Sequence, residues 1–301
     1  MASVNKLINK IIIPTMIVIY LLFLIYDFRL FNNGNYESIV ENHQNNVKKL
    51  TTIEALILGG SNAAFGLSAE QLTRDTQTNW YNASLMHEGF SDINYHNFVK
   101  ESFEEKRLDI NSILYSPMYQ FRNGVINNRM EYKGKVTGPN DFNLRPRMSI
   151  LGHIRAIMNN TYKNIMDGFP LPNKFGDFVF DDYLCKGPSF NMPFEHEDID
   201  LAASYLAFSI KEYLVFFPNA KILLSHPPEF YGSSLDQTTI NIFQDSLNKK
   251  IINILEPKDM QRVRIVNQVP IINDKLICEG KHHLNAAGRM QRTEMIFKSL
   301  P

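Results

Sequence analysis

The apolar positions of this chain follow different patterns along its length. From Ile11 to Tyr26 every residue is apolar or weakly polar, with Leu7 and Ile8 before the run and Phe28, Leu30 and Phe31 after it. Crossing a bilayer core takes about 20 apolar residues, so residues 11–31 are expected to form one transmembrane signal anchor. Lys6 and Lys10 precede it, which by the positive-inside tendency keeps residues 1–10 in the cytoplasm and exports the remainder. The stretch Leu24-Ile-Tyr-Asp-Phe-Arg29 offers no small-x-small site for cleavage. Residues 32–52 are polar and rich in Asn, and read as a linker or juxtamembrane helix.

Beyond that point short apolar runs of strand length alternate with stretches of helical period. Ile53–Leu58, Trp80–Leu85, Ile110–Tyr115, Ala220–Ser225 and Arg262–Asn267 are the expected strands. Helices are expected after Ser68 and over 92–106, 197–216, 235–255 and 285–299, with Ser68 and Asn285 as N-caps. Such alternation predicts an α/β domain over 53–301, a three-layer sandwich around a mostly parallel sheet. Between about 120 and 195 the periodicity degrades, apart from a helical pattern near 148–166, and this region is expected to be an irregular insertion or substrate-facing lid.

Composition changes this picture little. Lys+Arg and Asp+Glu both total 31, so there is no bulk attraction to nucleic acid. The two cysteines, Cys185 and Cys278, have no metal-ligand spacing; in an exported domain they could form one disulfide. No metal or other cofactor is expected.

The candidate chemistry lies near the two ends of the domain. Ser61 follows the first apolar run in Leu-Ile-Leu-Gly-Gly-Ser-Asn. The glycines permit a sharp strand-to-helix turn that leaves a hydroxyl at the carboxyl edge of a sheet. A serine needs a neighbouring base to act as a nucleophile. Glu279-Gly-Lys-His-His283-Leu-Asn-Ala-Ala-Gly288 supplies one, since a loop His before an Asn-capped helix start is fixed at the rim of the sheet. His282 could take the place of His283. His226, directly after a strand, and Ser116, after another, are further candidates to line the site.

Gly-Gly-Ser61-Asn with a trailing His283-Leu-Asn-x-x-Gly288 resembles the first and last sequence blocks of the SGNH/GDSL hydrolase superfamily. That resemblance implies a flavodoxin-like sandwich, Ser61 as nucleophile and His283 as base. Asn82-Ala-Ser-Leu-Met-His-Glu-Gly89 is similar to the second block, so Gly89 N–H with Ser61 N–H would hold an oxyanion, with Asn62 as an extra donor. The chain departs from the family pattern in three places. Gly60 stands where the first block has Asp, and Tyr115-Ser116-Pro117 stands where the third block has its Asn. The acid, three residues before the His in the family, is Glu279 when counted from His282 and Gly280 when counted from His283. Either Glu279 serves across a one-residue shift, or the acid comes from elsewhere, or a Ser-His dyad suffices.

An amino-terminal anchor before a divergent exported domain resembles the proteins that acylate cell-surface polysaccharides, such as those of alginate and cellulose O-acetylation and teichoic-acid D-alanylation. The resemblance implies O-acetyl transfer to an exported polysaccharide, with a multi-spanning membrane acyltransferase as partner and the catalytic domain periplasmic or extracellular. The alternatives are an esterase that hydrolyses acyl esters and an inactive scaffold of a polysaccharide synthesis or export complex.

Overall fold

The computed structural model describes residues 36–85, 92–117, 171–178, 187–188, 199–230, 237–266, 270–280 and 283–299. The anchor segment 11–31 lies outside these residues, as does the insertion of about 120–195 except for 171–178 and 187–188. No helix among the described residues is long and apolar enough to cross a membrane. Packing divides the chain into residues 1–39 with 143–171 and residues 40–142 with 172–301. The second unit holds the sheet and every candidate site residue.

The central sheet contains β1 (Ala55–Gly59), β2 (Trp80–Asn82), β3 (Ser112–Ser116), β5 (Lys221–Leu224) and β7 (Val263–Ile265), in the order β2-β1-β3-β5-β7. All four pairings are parallel, and Ile57, Leu114 and Leu223 lie in one row across β1, β3 and β5. Every residue of β1 is buried, as expected for a strand covered on both faces.

The covering helices divide cleanly between those faces. Ala55, Ile57, Leu114 and Leu223 form one core cluster with Ala63, Ala69, Leu72 and Ile296. Those partners belong to α2 (Ser61–Gly66), α3 (Ala69–Thr76) and α8 (Ala286–Phe297). The alternate residues point the other way: the Tyr115 ring meets Tyr213 at 5.3 Å, and Tyr213 meets His96 at 5.0 Å. Tyr213 lies on α5 (Ile199–Phe216) and His96 on α4 (Asp92–Phe103), and α6 (Gln237–Ile254) packs against α5. Lys100 of α4 and Glu212 of α5 add an ion pair at 2.8 Å.

The segment expected as a linker or juxtamembrane helix contains α1 (Tyr36–Lys49), which buries Val40, His43 and Val47. Strands β4 (Gly187–Pro188), β9 (Ile277–Gly280) and β10 (His283–Leu284) form a separate small sheet, ordered β10-β9-β4. Two further short strands, β6 (Glu229–Phe230) and β8 (Ile271–Ile272), pair in parallel, and a one-turn helix α7 (Pro257–Met260) precedes β7.

The expected N-cap at Ser68 is present: its hydroxyl accepts from Gln71 N–H at 3.1 Å. It also donates to the carboxylate of Asp177 at 2.9 Å, and Asp177 accepts the Ala69 and Glu70 N–H groups at 2.8 and 3.0 Å. Asp177 is 1 % exposed. It therefore acts as a distant second cap, supplying acceptors to the unpaired donors of the first turn of α3. Asp177→Ala leaves those N–H groups buried without an acceptor, and a loss of about 3 kcal/mol in unfolding free energy is expected, measured by urea denaturation.

Candidate functional site

Ser61 is the first residue of α2 and is partly exposed, directly past the carboxyl end of β1. In a sheet of order β2-β1-β3, connections leave β1 and β3 on opposite faces, and ligands bind in the crevice outside those strand ends. The geometry of this turn is demanding. Gly59 has φ +153°, and a Cβ there would stand 2.1 Å from the Ser116 carbonyl oxygen. No side chain fits that approach, so the glycine is required by both its conformation and its neighbour. Gly59 N–H donates to the Tyr95 hydroxyl at 2.9 Å, and Tyr95 donates onward to the Ala83 carbonyl at 3.2 Å.

His283 opens β10 and is also partly exposed. Its ring meets Phe65 edge-on, with centroids 4.9 Å apart. Phe65 lies four residues after Ser61 on α2, a spacing at which Cβ atoms are about 5–6 Å apart on one helix face. The two ends of the domain therefore meet on one short helix. In β9–β10, Glu279 is paired with His283, with an irregularity between His283 and Leu284. Glu279 and His283 are thus opposite one another in backbone register. Asn285 caps α8 as expected, accepting from Gly288 N–H at 2.9 Å. Gly89 and His282 lie outside the described residues.

Asn62, Ser116 and His226 are brought together, all buried, beneath the crevice rather than in it. Asn62 Nδ2 donates to Ser116 Oγ at 3.1 Å. The His226 imidazole lies beside the Val266 backbone and the Asn248 side chain, which places it toward α6 and the end of β7. The group that joins these residues is Arg292 of α8, fully buried at 0 % exposure. Its Nη1 donates to the Asn62 carbonyl at 2.6 Å, and its Nη2 donates to Ser116 Oγ at 2.7 Å and the His226 carbonyl at 3.1 Å.

The motifs did not disclose Arg292, which reads as one more cation on a surface helix. The signal available was periodicity. Leu284, Gly288, Arg292 and Ile296 recur every fourth residue and are all buried, so the arginine lies on the inward stripe of α8.

Among the described residues no group of His, Cys, Asp and Glu side chains could hold a metal ion. A cavity of about 290 Å³ lies at the end of β7, lined by Arg264, Ile265, Val266, Pro270, Met295, Ile296 and Ser299. It is three strands from β1, about 14 Å, and none of the candidate residues lines it.

No family model matches the chain, and no curated protein matches it. Several solved structures are similar. A Streptococcus pneumonia protein named as a candidate platelet activating factor is 12 % identical with a TM-score of 0.45, over 94 % of this chain and 99 % of that one. The periplasmic domain of a lipopolysaccharide acetyltransferase from Salmonella ser. Paratyphi A is 12 % identical with a TM-score of 0.42, over 90 % and 96 %. An acetyl xylan esterase from the rumen bacterium Butyrivibrio proteoclasticus is 11 % identical with a TM-score of 0.40, over 83 % and 64 %.

Two buried histidines set a pH dependence for the fold. Burial lowers the pKa of His43, on α1, to about 3, and burial likewise lowers that of His226 to about 3, against 6.5 for an ordinary histidine. Between these values the unfolded chain binds protons that the folded chain does not, so stability rises with pH through this window and falls as pH drops from about 6.5 toward 3. Full stability from these groups is present above pH 6.5. A loss of about 2 kcal/mol per histidine is expected between pH 7.5 and 5, measured by urea denaturation at each pH. His43→Gln should roughly halve the slope.

Proposed function

We propose that the chain is a serine-dependent acyl-transfer enzyme of the SGNH/GDSL type, with Ser61 as nucleophile and His283 as general base. The observation that carries this reading is the packing of His283 on Phe65, one helical turn from Ser61. An accessible serine past the end of a parallel strand and an imidazole on the same helix face supply the two groups that acyl transfer requires. The Glu279–His283 register supports Glu279 as the acid that orients the imidazole and stabilises its protonated form.

In the proposed reaction His283 takes the Ser61 hydroxyl proton as Oγ attacks the acyl carbonyl. The leaving group then departs with that proton, and an acyl-Ser61 ester remains. A second hydroxyl attacks this ester, His283 removes its proton, and the proton returns to Ser61 as the ester bond breaks. The oxyanion of each step would be held by the N–H groups of Ser61 and Gly89. Asn62 is buried and its amide is committed to Ser116, which makes it a support of the turn in preference to a donor.

The proposed acceptor is a hydroxyl of an exported or cell-surface polysaccharide, the acyl group acetyl, and the partner a multi-spanning membrane acyltransferase. The anchor at 11–31 would hold the domain outside the cytoplasmic membrane. A covalent feature supports this placement: Cys278 is disulfide-bonded, and Cys185 is the chain's sole other cysteine. Such bonds persist in oxidising compartments.

Full-length protein treated with a fluorophosphonate probe should label at Ser61. Ser61→Ala should abolish labelling, and His283→Ala should slow it by at least ~10³-fold. Equal labelling of the Ser61 variant would sink the assignment. In cells, deletion of the gene should remove O-acetyl groups from a surface polysaccharide. Wild type should restore them and Ser61→Ala should not; unchanged acetylation in the deletion strain would refute the acceptor.

A further inference from the structure

From the buried contacts of α8, we infer that Arg292 is a positioning residue that sets the nucleophile and the base in mutual register. The inference rests on the Ser61–His283 reading and concerns how that pair is held. A guanidinium with 0 % exposure is costly to bury, and the hydrogen bonds of Nη1 and Nη2 offset that cost. The acceptors it meets mark out the carboxyl edge of the sheet. Asn62 follows β1, Ser116 ends β3 and His226 follows β5. Those strands are adjacent, so one planar group ties together strand ends spread over about 10 Å.

The same side chain grips α2 at both ends. It holds the Asn62 carbonyl, one residue after Ser61, and a Cβ on Gly66 would stand 2.5 Å from its Nη1. The backbone of α2 can therefore neither shift toward Arg292 nor retreat from it without losing a hydrogen bond.

Arg292 also belongs to the helix that follows the base. Asn285, two residues after His283, caps α8, and its N–H donates to the Leu276 carbonyl at 2.9 Å. A Cβ on Gly288 would lie 2.6 Å from that same Leu276 oxygen, so the first turn of α8 lies flush on the segment that leads into β9. Through α8 the position of β10, and with it the backbone of His283, is fixed relative to Arg292. Through Arg292 it is fixed relative to Ser61. Lysine, with one nitrogen, cannot reproduce a planar fork directed at three acceptors.

The test uses the full chain and measures both the rate of fluorophosphonate labelling at Ser61 and the fraction labelled at completion. A positioning role lowers the rate per folded molecule at saturating probe, with the half-saturating concentration unchanged, because Arg292 does not touch the probe. A role confined to stability lowers only the final fraction. Arg292→Lys is expected to slow labelling by about 100-fold, the size of effect that follows a displacement of about 1 Å. Ser116→Ala, which removes one acceptor and little volume, is expected to slow it by about 5-fold. If the lysine variant does not fold, Ser116→Ala decides. Wild-type rates in every folded variant overturn the inference while leaving the Ser61 reading intact. Absence of labelling in wild type overturns that reading, and the inference with it.

Discussion

The nucleophile candidate stands on a helix of six residues, Ser61–Gly66, and helices that short are not stable by themselves. Everything that makes α2 a fixed platform comes from outside it. Its entry is set by Gly59, pressed against the Ser116 carbonyl. The Asn62 carbonyl is taken by Arg292, and Asn82 Nδ2 approaches the Leu67 carbonyl at 3.3 Å just beyond its end. That same Nδ2 lies 3.3 Å from Asp177, the buried carboxylate that caps α3. The short platform is thus held by hydrogen bonds of buried polar side chains, which apolar packing could not supply.

The arm that carries His283 is built differently. Two-residue strands such as β10 have negligible stability of their own, and the small sheet β10-β9-β4 is held by caps, a disulfide and apolar contacts. The Asn273 side chain caps the turn before β9, accepting from Lys275 N–H. Cys278 within β9 is disulfide-bonded. Leu276 and Leu284 make a small apolar cluster with Ile272 and Ile277. Parallel pairing sets Gly187 against Glu279, so the chain that returns from the irregular region is tied to the strand facing His283. A covalent and strand-paired frame on one side and a polar frame on the other converge in α8, which carries a contact to each.

Local chemistry made the scaffold legible in the sequence, and distance hid much of the rest. The apolar runs at 53–58, 110–115 and 220–225 lie at β1, β3 and β5, because a strand buried on both faces must be continuously apolar. The caps Ser68 and Asn285 were readable because a cap bonds within three residues of itself. Asp177 was not, since it serves the start of α3 from 109 residues away in Ser68's case. Nor was the purpose of Arg292, whose acceptors are 230, 176 and 66 residues distant. The motif at Ser61 was visible, whereas the burial of Asn62 was not: a residue beside a nucleophile reads as a donor until the partner of its amide is known.

The buried arginine is intelligible only together with what it binds. Ion burial is weak grounds for stability, because an apolar residue of similar volume often serves as well. Here such a residue would fill the space but remove the guanidinium bonds to the Asn62 carbonyl, the Ser116 hydroxyl and the His226 carbonyl. Each hydrogen bond to a charged group is worth about 1.5–3 kcal/mol, so the exchange that succeeds elsewhere is costly at this position. The reverse also holds: without those acceptors the guanidinium could not be buried at all. The three strand ends and Arg292 therefore form one unit, satisfied only when the ends of β1, β3 and β5 are level with one another and α8 lies across them. Apolar contacts tolerate sliding, whereas hydrogen bonds within 3.1 Å weaken steeply with distance and angle. A crevice that must keep a serine and a histidine in fixed relation gains more from the second kind of contact than from the first.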